Sequence, residues 1–141
     1  MEIQQDFRGL LALFNEHKVE HMIIGAYALA FHGAPRYTGY IDVLVEPETS
    51  NAQRIMVALD EFGFGSVGLE VEDFDVPDKV IQLGVPPVRV DIVTSITGVS
   101  WEEAFADRVE GKYGDIHVYY IGRKQLISNK RALGKKRILL I

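Results

Sequence analysis

Two acids in this chain stand where acids are costly. Asp42 lies inside the apolar run Tyr40-Ile-Asp-Val-Leu-Val45, and Asp91 inside Val88-Arg-Val-Asp-Ile-Val93. Both runs read as β-strands, and burying a carboxylate in one is expensive unless it is paired or holds a ligand. Strand side chains alternate between faces, so Tyr40, Asp42 and Leu44 share one face of their strand, and Arg89 and Asp91 one face of theirs. An acid-apolar-acid triplet at 40–42 would set two carboxylates side by side, as a divalent metal site needs. This chain has Tyr40-Ile41-Asp42 instead. Asp42 and Asp91 are therefore candidates for metal or phosphate chemistry. As purely structural residues they would need a cationic partner, with Arg36 or Arg89 at hand.

The elements around them can be read from periodicity and punctuation. Phe7, Leu10, Leu11 and Phe14 make one apolar stripe and predict a helix over 2–16. His17-Lys18 suits its negative C-terminal end. A strand over 19–24 follows. Gly25 then permits a tight turn into a short helix, 26–31, broken by Gly33-Ala-Pro35. The strand 41–45 comes next. Ser50 and Gln53 spell a capping box for a third helix with Ile55, Met56, Leu59 and Phe62 inward, and Gly63 stands where a C-terminal glycine cap belongs. Strands over 79–85 and 88–94, joined at Pro86-Pro87, predict an antiparallel hairpin. Ser100 and Glu103 cap a helix over 101–108, in which Trp101 and Phe105 read as a packing pair. A strand over 116–121 and a helix over 124–133 close the chain. The elements form one domain, residues 1–141, of α/β (α+β) class: a mixed β-sheet with helices packed against it.

Several suggestive features are set aside. Gly63-Phe-Gly65-Ser-Val-Gly68 spells G-x-G-x-x-G, but it follows a helix and leads into acidic LEVEDFDVPD. A dinucleotide site needs a preceding strand and a following helix N-terminus. His32 reads as a hydrogen-bonded turn residue. His17, His21 and His117 show no spacing that suggests a metal site.

Composition narrows the class. The chain has 141 residues, 48% hydrophobic and 25% charged, with no cysteine, so disulfide frameworks and thiolate chemistry are excluded. No apolar run spans a membrane and MEIQQDF is not a signal peptide, so a cytoplasmic protein with no membrane partner is expected. The net charge of −5 is uneven. After Asp115 there are seven basic residues and no acid; up to and including it, eight basic face twenty acidic residues. The basic end either meets phosphate or nucleic acid, or simply offsets the acidic body.

Taken together, these residues resemble a known group. Ile24-Gly25-Ala26, thirteen further residues, Tyr40-Ile41-Asp42-Val43 and then Asp91 follow the pattern of the DNA polymerase beta-like nucleotidyltransferases. The fuller run, Gly25-Ala-Tyr-Ala-Leu with His32-Gly33, Arg36, Thr38 and Asp42, looks like the small bacterial members related to abortive-infection and toxin–antitoxin nucleotidyltransferases. LISNKRALGKK resembles that group's closing helix. The resemblance implies a nucleotidyltransferase-type fold and a nucleoside triphosphate as ligand. It implies Mg2+ or Mn2+ held by Asp42 and Asp91 as catalytic residues, and phosphate contacts from Gly25, Ala26, Arg36, Thr38 and Lys130. The acceptor would be an RNA, a protein or a small molecule. Two departures stand out: Tyr40 replaces the first acid, and Ala26 replaces a glycine or serine. With Tyr40 in that place, metal should be held weakly or only with nucleotide, and Tyr40→Asp should restore affinity. The alternative is a catalytically inactive relative that binds nucleotide, RNA or a partner protein. A plain interaction module, such as a homodimer, is the third possibility.

Overall fold

Alternation places Ile41, Val43 and Val45 on one face of their strand, and the fold is built on that face. In this computed structural model the described residues are 3–34, 38–65 and 67–139, with side chains only to 134. The strands are β1 (His21–Ile24), β2 (Tyr40–Val45), β3 (Val80–Leu83), β4 (Arg89–Val93), β5 (Val109–Tyr113) and β6 (Ile116–Tyr120). They form one sheet in the order β3-β4-β2-β1-β6-β5. β1–β2, β3–β4 and β5–β6 are antiparallel, whereas β2–β4 and β1–β6 are parallel. The sheet is thus mixed, as expected.

The helices are α1 (Gln5–Glu16), α2 (Gly25–Phe31), α3 (Thr49–Leu59), α4 (Trp101–Ala106) and α5 (Arg123–Leu139). α1 buries its predicted stripe, Phe7, Leu10, Leu11 and Phe14, completely. Each such side chain contributes roughly 1.5–3 kcal/mol of transfer free energy. Phe14 meets the ring of His21 edge-on at 5.1 Å, so α1 packs on the face of β1 that carries His21 and Ile23. That is the face of Ile41, Val43 and Val45, since Ile23 pairs with Val43. α3 lies beside α1 in the same layer. Asp42 pairs with Ile24 and points to the opposite face. On that opposite face, towards the β3 edge, Val80, Ile96, Asn129 and Leu133 line a cavity of about 350 Å³ between β3 and α5.

Several sequence-based expectations are corrected. Glu48, not Ser50, caps α3: its carboxylate accepts from the Ser50 and Asn51 N–H groups. Ser50 Oγ donates to Glu48 at 2.6 Å. An acid two positions earlier wins because a charged acceptor at a helix N-terminus is stronger than a hydroxyl. α3 also runs on into a π-helical turn, Asp60–Phe64, in which Gly63 has φ +113°. β5 was not anticipated; its pairing with β6 across Gly114-Asp115, Gly114 at φ +62°, forms a hairpin. α5 passes straight through Gly134 rather than ending at 133. The capping box of α4 forms with both reciprocal bonds, and Trp101 packs on Phe105 with ring centroids 5.8 Å apart. His32 Nε2 bonds the Ile121 carbonyl at 2.8 Å, as a structural turn residue should.

Candidate functional site

The register of β2 against β4 decides what the two acids can do together. Tyr40 pairs with Arg89, and Asp42 with Asp91. Paired residues on neighbouring strands share a face, so Tyr40, Asp42, Arg89 and Asp91 form one four-residue patch. Gln82 of β3 pairs with Asp91 and extends the patch to the exposed sheet edge. The sequence pattern thus brings the two candidate acids to one place.

Gly25 closes the patch on the other side. Its φ is +67°, and a Cβ there would overlap Asp42 Oδ2 and lie 3.0 Å from Cγ. Only glycine meets both demands: a left-handed backbone and a carboxylate packed against the main chain. Ala26, next in the short helix α2, is half-buried. Thr38 has its hydroxyl committed to the chain: Oγ1 donates to the Tyr40 carbonyl at 3.0 Å and accepts from the Tyr40 N–H at 3.3 Å. It therefore shapes the entry to β2. Gly39 is constrained by space alone, because a Cβ would come 2.9 Å from Pro86 Cβ at the tip of the β3–β4 hairpin. Arg36 lies outside the described residues. Lys130 is exposed on α5, and no contact joins it to the carboxylates among the described residues.

The two acids are not equivalent. Asp91 is buried, and Arg89 grips it from two residues away: Nε donates to Oδ1 at 2.8 Å and Nη2 to Oδ2 at 2.7 Å. This is the bidentate guanidinium–carboxylate geometry, the strongest side-chain ion pair available. The same guanidinium lies 4.3 Å above the Tyr40 ring centroid, a cation–π contact worth about 0.5–1 kcal/mol. Asp42 accepts no hydrogen bond among the described residues. Burial pushes its carboxyl up from 3.8 to about 6, the Asp91 charge adds to the rise, and Arg89 opposes it. Of the two arginines at hand as structural partners for the acids, Arg89 takes Asp91 rather than Asp42. The signal was available, since residues i and i+2 of a strand share a face.

A metal centre can be tested against this donor set. Two divalent ions about 3.5–4 Å apart need several bridging carboxylate oxygens. Here one acid position holds a phenol, and a guanidinium claims both oxygens of a second. The residues present do not fit a two-metal centre. They leave Asp42 as the one carboxylate without a cationic partner in contact.

Comparison with known proteins bears on the fold. No protein-family model matches the chain, and no curated protein matches it. A crystal structure of a Thermotoga maritima protein, provisionally described as a nucleotidyltransferase, superposes with a TM-score of 0.70. It covers 98% of this chain and 91% of that one, at 12% identity. The chain has a nucleotidyltransferase-type fold. At this identity the likeness concerns the backbone, and the chemistry has to be argued from the side chains.

Proposed function

We propose that this chain, as a single domain, binds a nucleoside triphosphate beside Asp42 and has lost most or all of the capacity to transfer its nucleotidyl group. The observation that carries this is Arg89, locked on Asp91 and stacked on Tyr40. Phosphoryl-type transfer rests on positioning and on neutralising charge with metal ions. A fixed guanidinium at the patch supplies one positive charge and a phosphate-binding fork. It does not activate an attacking oxygen. Arg89 Nη1 makes no hydrogen bond among the described residues, so one edge of the fork remains for a phosphate oxygen. Asp42 accepts at most one Mg2+ or Mn2+, arriving with the triphosphate, whose oxygens complete the coordination shell. Gly25 keeps the backbone close to that site, and Arg36 and Lys130 are proposed to reach the phosphates.

The second ligand we propose is RNA, in a cytoplasmic toxin–antitoxin or phage-defence setting. Arg123, Lys124, Lys130 and Arg131 are exposed on α5, and no acid follows Asp115. No helix among the described residues is long and apolar enough to cross a membrane.

The test is calorimetric titration with each nucleoside triphosphate, with and without magnesium, followed by incubation with labelled triphosphate and cell RNA. Triphosphate binding that a single magnesium ion strengthens, and weak or absent transfer, are expected. Robust metal-dependent transfer would overturn the proposed loss of catalysis. Failure of every triphosphate to bind would overturn the nucleotide site itself. RNA affinity should fall steeply with salt, in proportion to the phosphates neutralised.

A further inference from the structure

We propose a second metal site, unrelated to the Asp42 patch: Glu16, His17 and Glu61 bind one zinc-class divalent ion on the helical layer. Each offers one donor atom, and the three lie within 4.8 Å of one another. Glu16 is the last residue of α1 and His17 its C-cap; Glu61 comes from the π-helical turn after α3. No spacing in the sequence points to this group, because its third member lies more than forty residues away and reaches it only through the packing of α1 against that turn.

The geometry around His17 argues for a cation rather than an ion pair. Nε2 lies 3.1 Å from Glu61 Oε1. Yet Nε2 is shielded from solvent and makes no hydrogen bond. The carboxylate oxygen is near but off the direction in which the ring nitrogen donates. A shielded imidazole nitrogen aimed past a neighbouring oxygen is poor hydrogen bonding and good coordination. Two ligands bonded to one ion at about 2.0–2.1 Å stand roughly 2.9–3.4 Å apart, for right-angled to tetrahedral arrangements. The observed separation falls inside that range.

Electrostatics favour the same occupant. The site closes the C-terminal end of α1, a helix of twelve residues, whose dipole attracts a cation there. Two carboxylates and one neutral imidazole give a donor set suited to zinc and its neighbours, rather than the all-oxygen shell of magnesium. Water supplies the remaining position, as Glu16 and Glu61 are exposed. An ion here ties α1 to the end of α3, where the helix widens into its π turn and Gly63 turns the chain. It lies in the layer on the sheet face opposite Asp42, so its role is structural.

The test uses the full chain and zinc alone, by competition with a chromogenic chelator and by thermal melts. Wild type is expected to bind one zinc ion and to melt several degrees higher with it. Glu61→Gln and Glu16→Gln, surface changes that keep shape, should each weaken zinc at least tenfold and abolish the thermal shift. His117→Gln controls for the other exposed imidazole–carboxylate pair, with Glu110, and Asp42→Asn for the patch; both should leave zinc affinity intact. No zinc binding by wild type overturns the site. So does affinity that survives both glutamate variants, or that is lost in either control.

Discussion

Asp42→Asn should stabilise the protein, and only above a defined pH. Burial and the Asp91 charge raise the Asp42 carboxyl from 3.8 to about 6. The native state therefore holds this proton more tightly than the unfolded chain does. Stability is highest when Asp42 is protonated, and is lost as pH rises from about 4 to about 6. A shift of about two units corresponds to roughly 3 kcal/mol at full ionisation. Asp42 is partly exposed, and screening reduces this to about 1–2 kcal/mol. Asparagine keeps the shape and removes the charge. The variant should match wild type near pH 4 and gain about 1–2 kcal/mol by pH 7.5. The wild-type profile alone will not isolate the effect, because His21 acts in the opposite sense. Burial lowers its imidazole from 6.5 to about 4, so His21 removes stability as pH falls through that window. Subtracting wild type from variant at each pH cancels His21. Urea unfolding from pH 4 to 7.5, with a chelator present, gives the difference directly. A gain independent of pH, or a loss above pH 6, would refute the reasoning and mean that a cation neutralises Asp42 in solution.

Two other substitutions probe the same patch. Arg89→Met leaves Asp91 buried without its partner and should cost about 3 kcal/mol at neutral pH; it should also tighten manganese binding at least tenfold by calorimetry while weakening triphosphate binding. Unchanged manganese affinity would mean that the guanidinium does not compete for the carboxylates. Gly25→Ala combines a φ of +67° with a Cβ overlapping Asp42 and should cost about 2 kcal/mol or more in chemical denaturation; a cost below about 0.5 kcal/mol would show that the turn relaxes without strain.

What the sequence disclosed depended on the range of the interaction. Strand alternation and the positions of glycine and proline are local, and they located β2, β4, Gly25 and the shared face of Asp42 and Asp91. The α1 stripe was legible for the same reason. β5 was missed because Val-Glu-Gly-Lys-Tyr has few apolar residues, and its stability comes from pairing with β6. Even so, Gly114-Asp115 is a two-residue hairpin signal that could have found it. The Glu48 cap was hidden behind a better-looking Ser50. The partner of Asp91 needed only the i, i+2 rule. The stacking of Arg89 on Tyr40 needed the β2–β4 register, which no single strand encodes. The Glu16–His17–Glu61 group was invisible, since helix packing alone assembles it.

Tyr40 and Arg89 have to be considered as one change. They are register partners, and the guanidinium covers the ring at 4.3 Å. A carboxylate placed at 40 would share the face of Asp91 and lie within reach of the same guanidinium. Arg89 would then bridge two acids, and the new charge would strengthen an ion-pair network instead of opening a metal site. The expectation that Tyr40→Asp alone restores metal affinity is therefore revised. The patch carries a formal charge of −1 from Asp42, Asp91 and Arg89. Either single change makes it −2, but only Arg89→Met releases the oxygens of Asp91. The double variant reaches −3 with all three carboxylates free to hold metal. Manganese titrations followed by spin resonance should rank wild type and Tyr40→Asp weakest, Arg89→Met next, and Tyr40→Asp/Arg89→Met tightest. The double-mutant cycle should show coupling of at least tenfold, about 1.4 kcal/mol, because the second acid gains its effect only when the guanidinium is gone. If Tyr40→Asp alone reaches the affinity of the double variant, Arg89 is no obstacle, and the missing acid by itself explains the site.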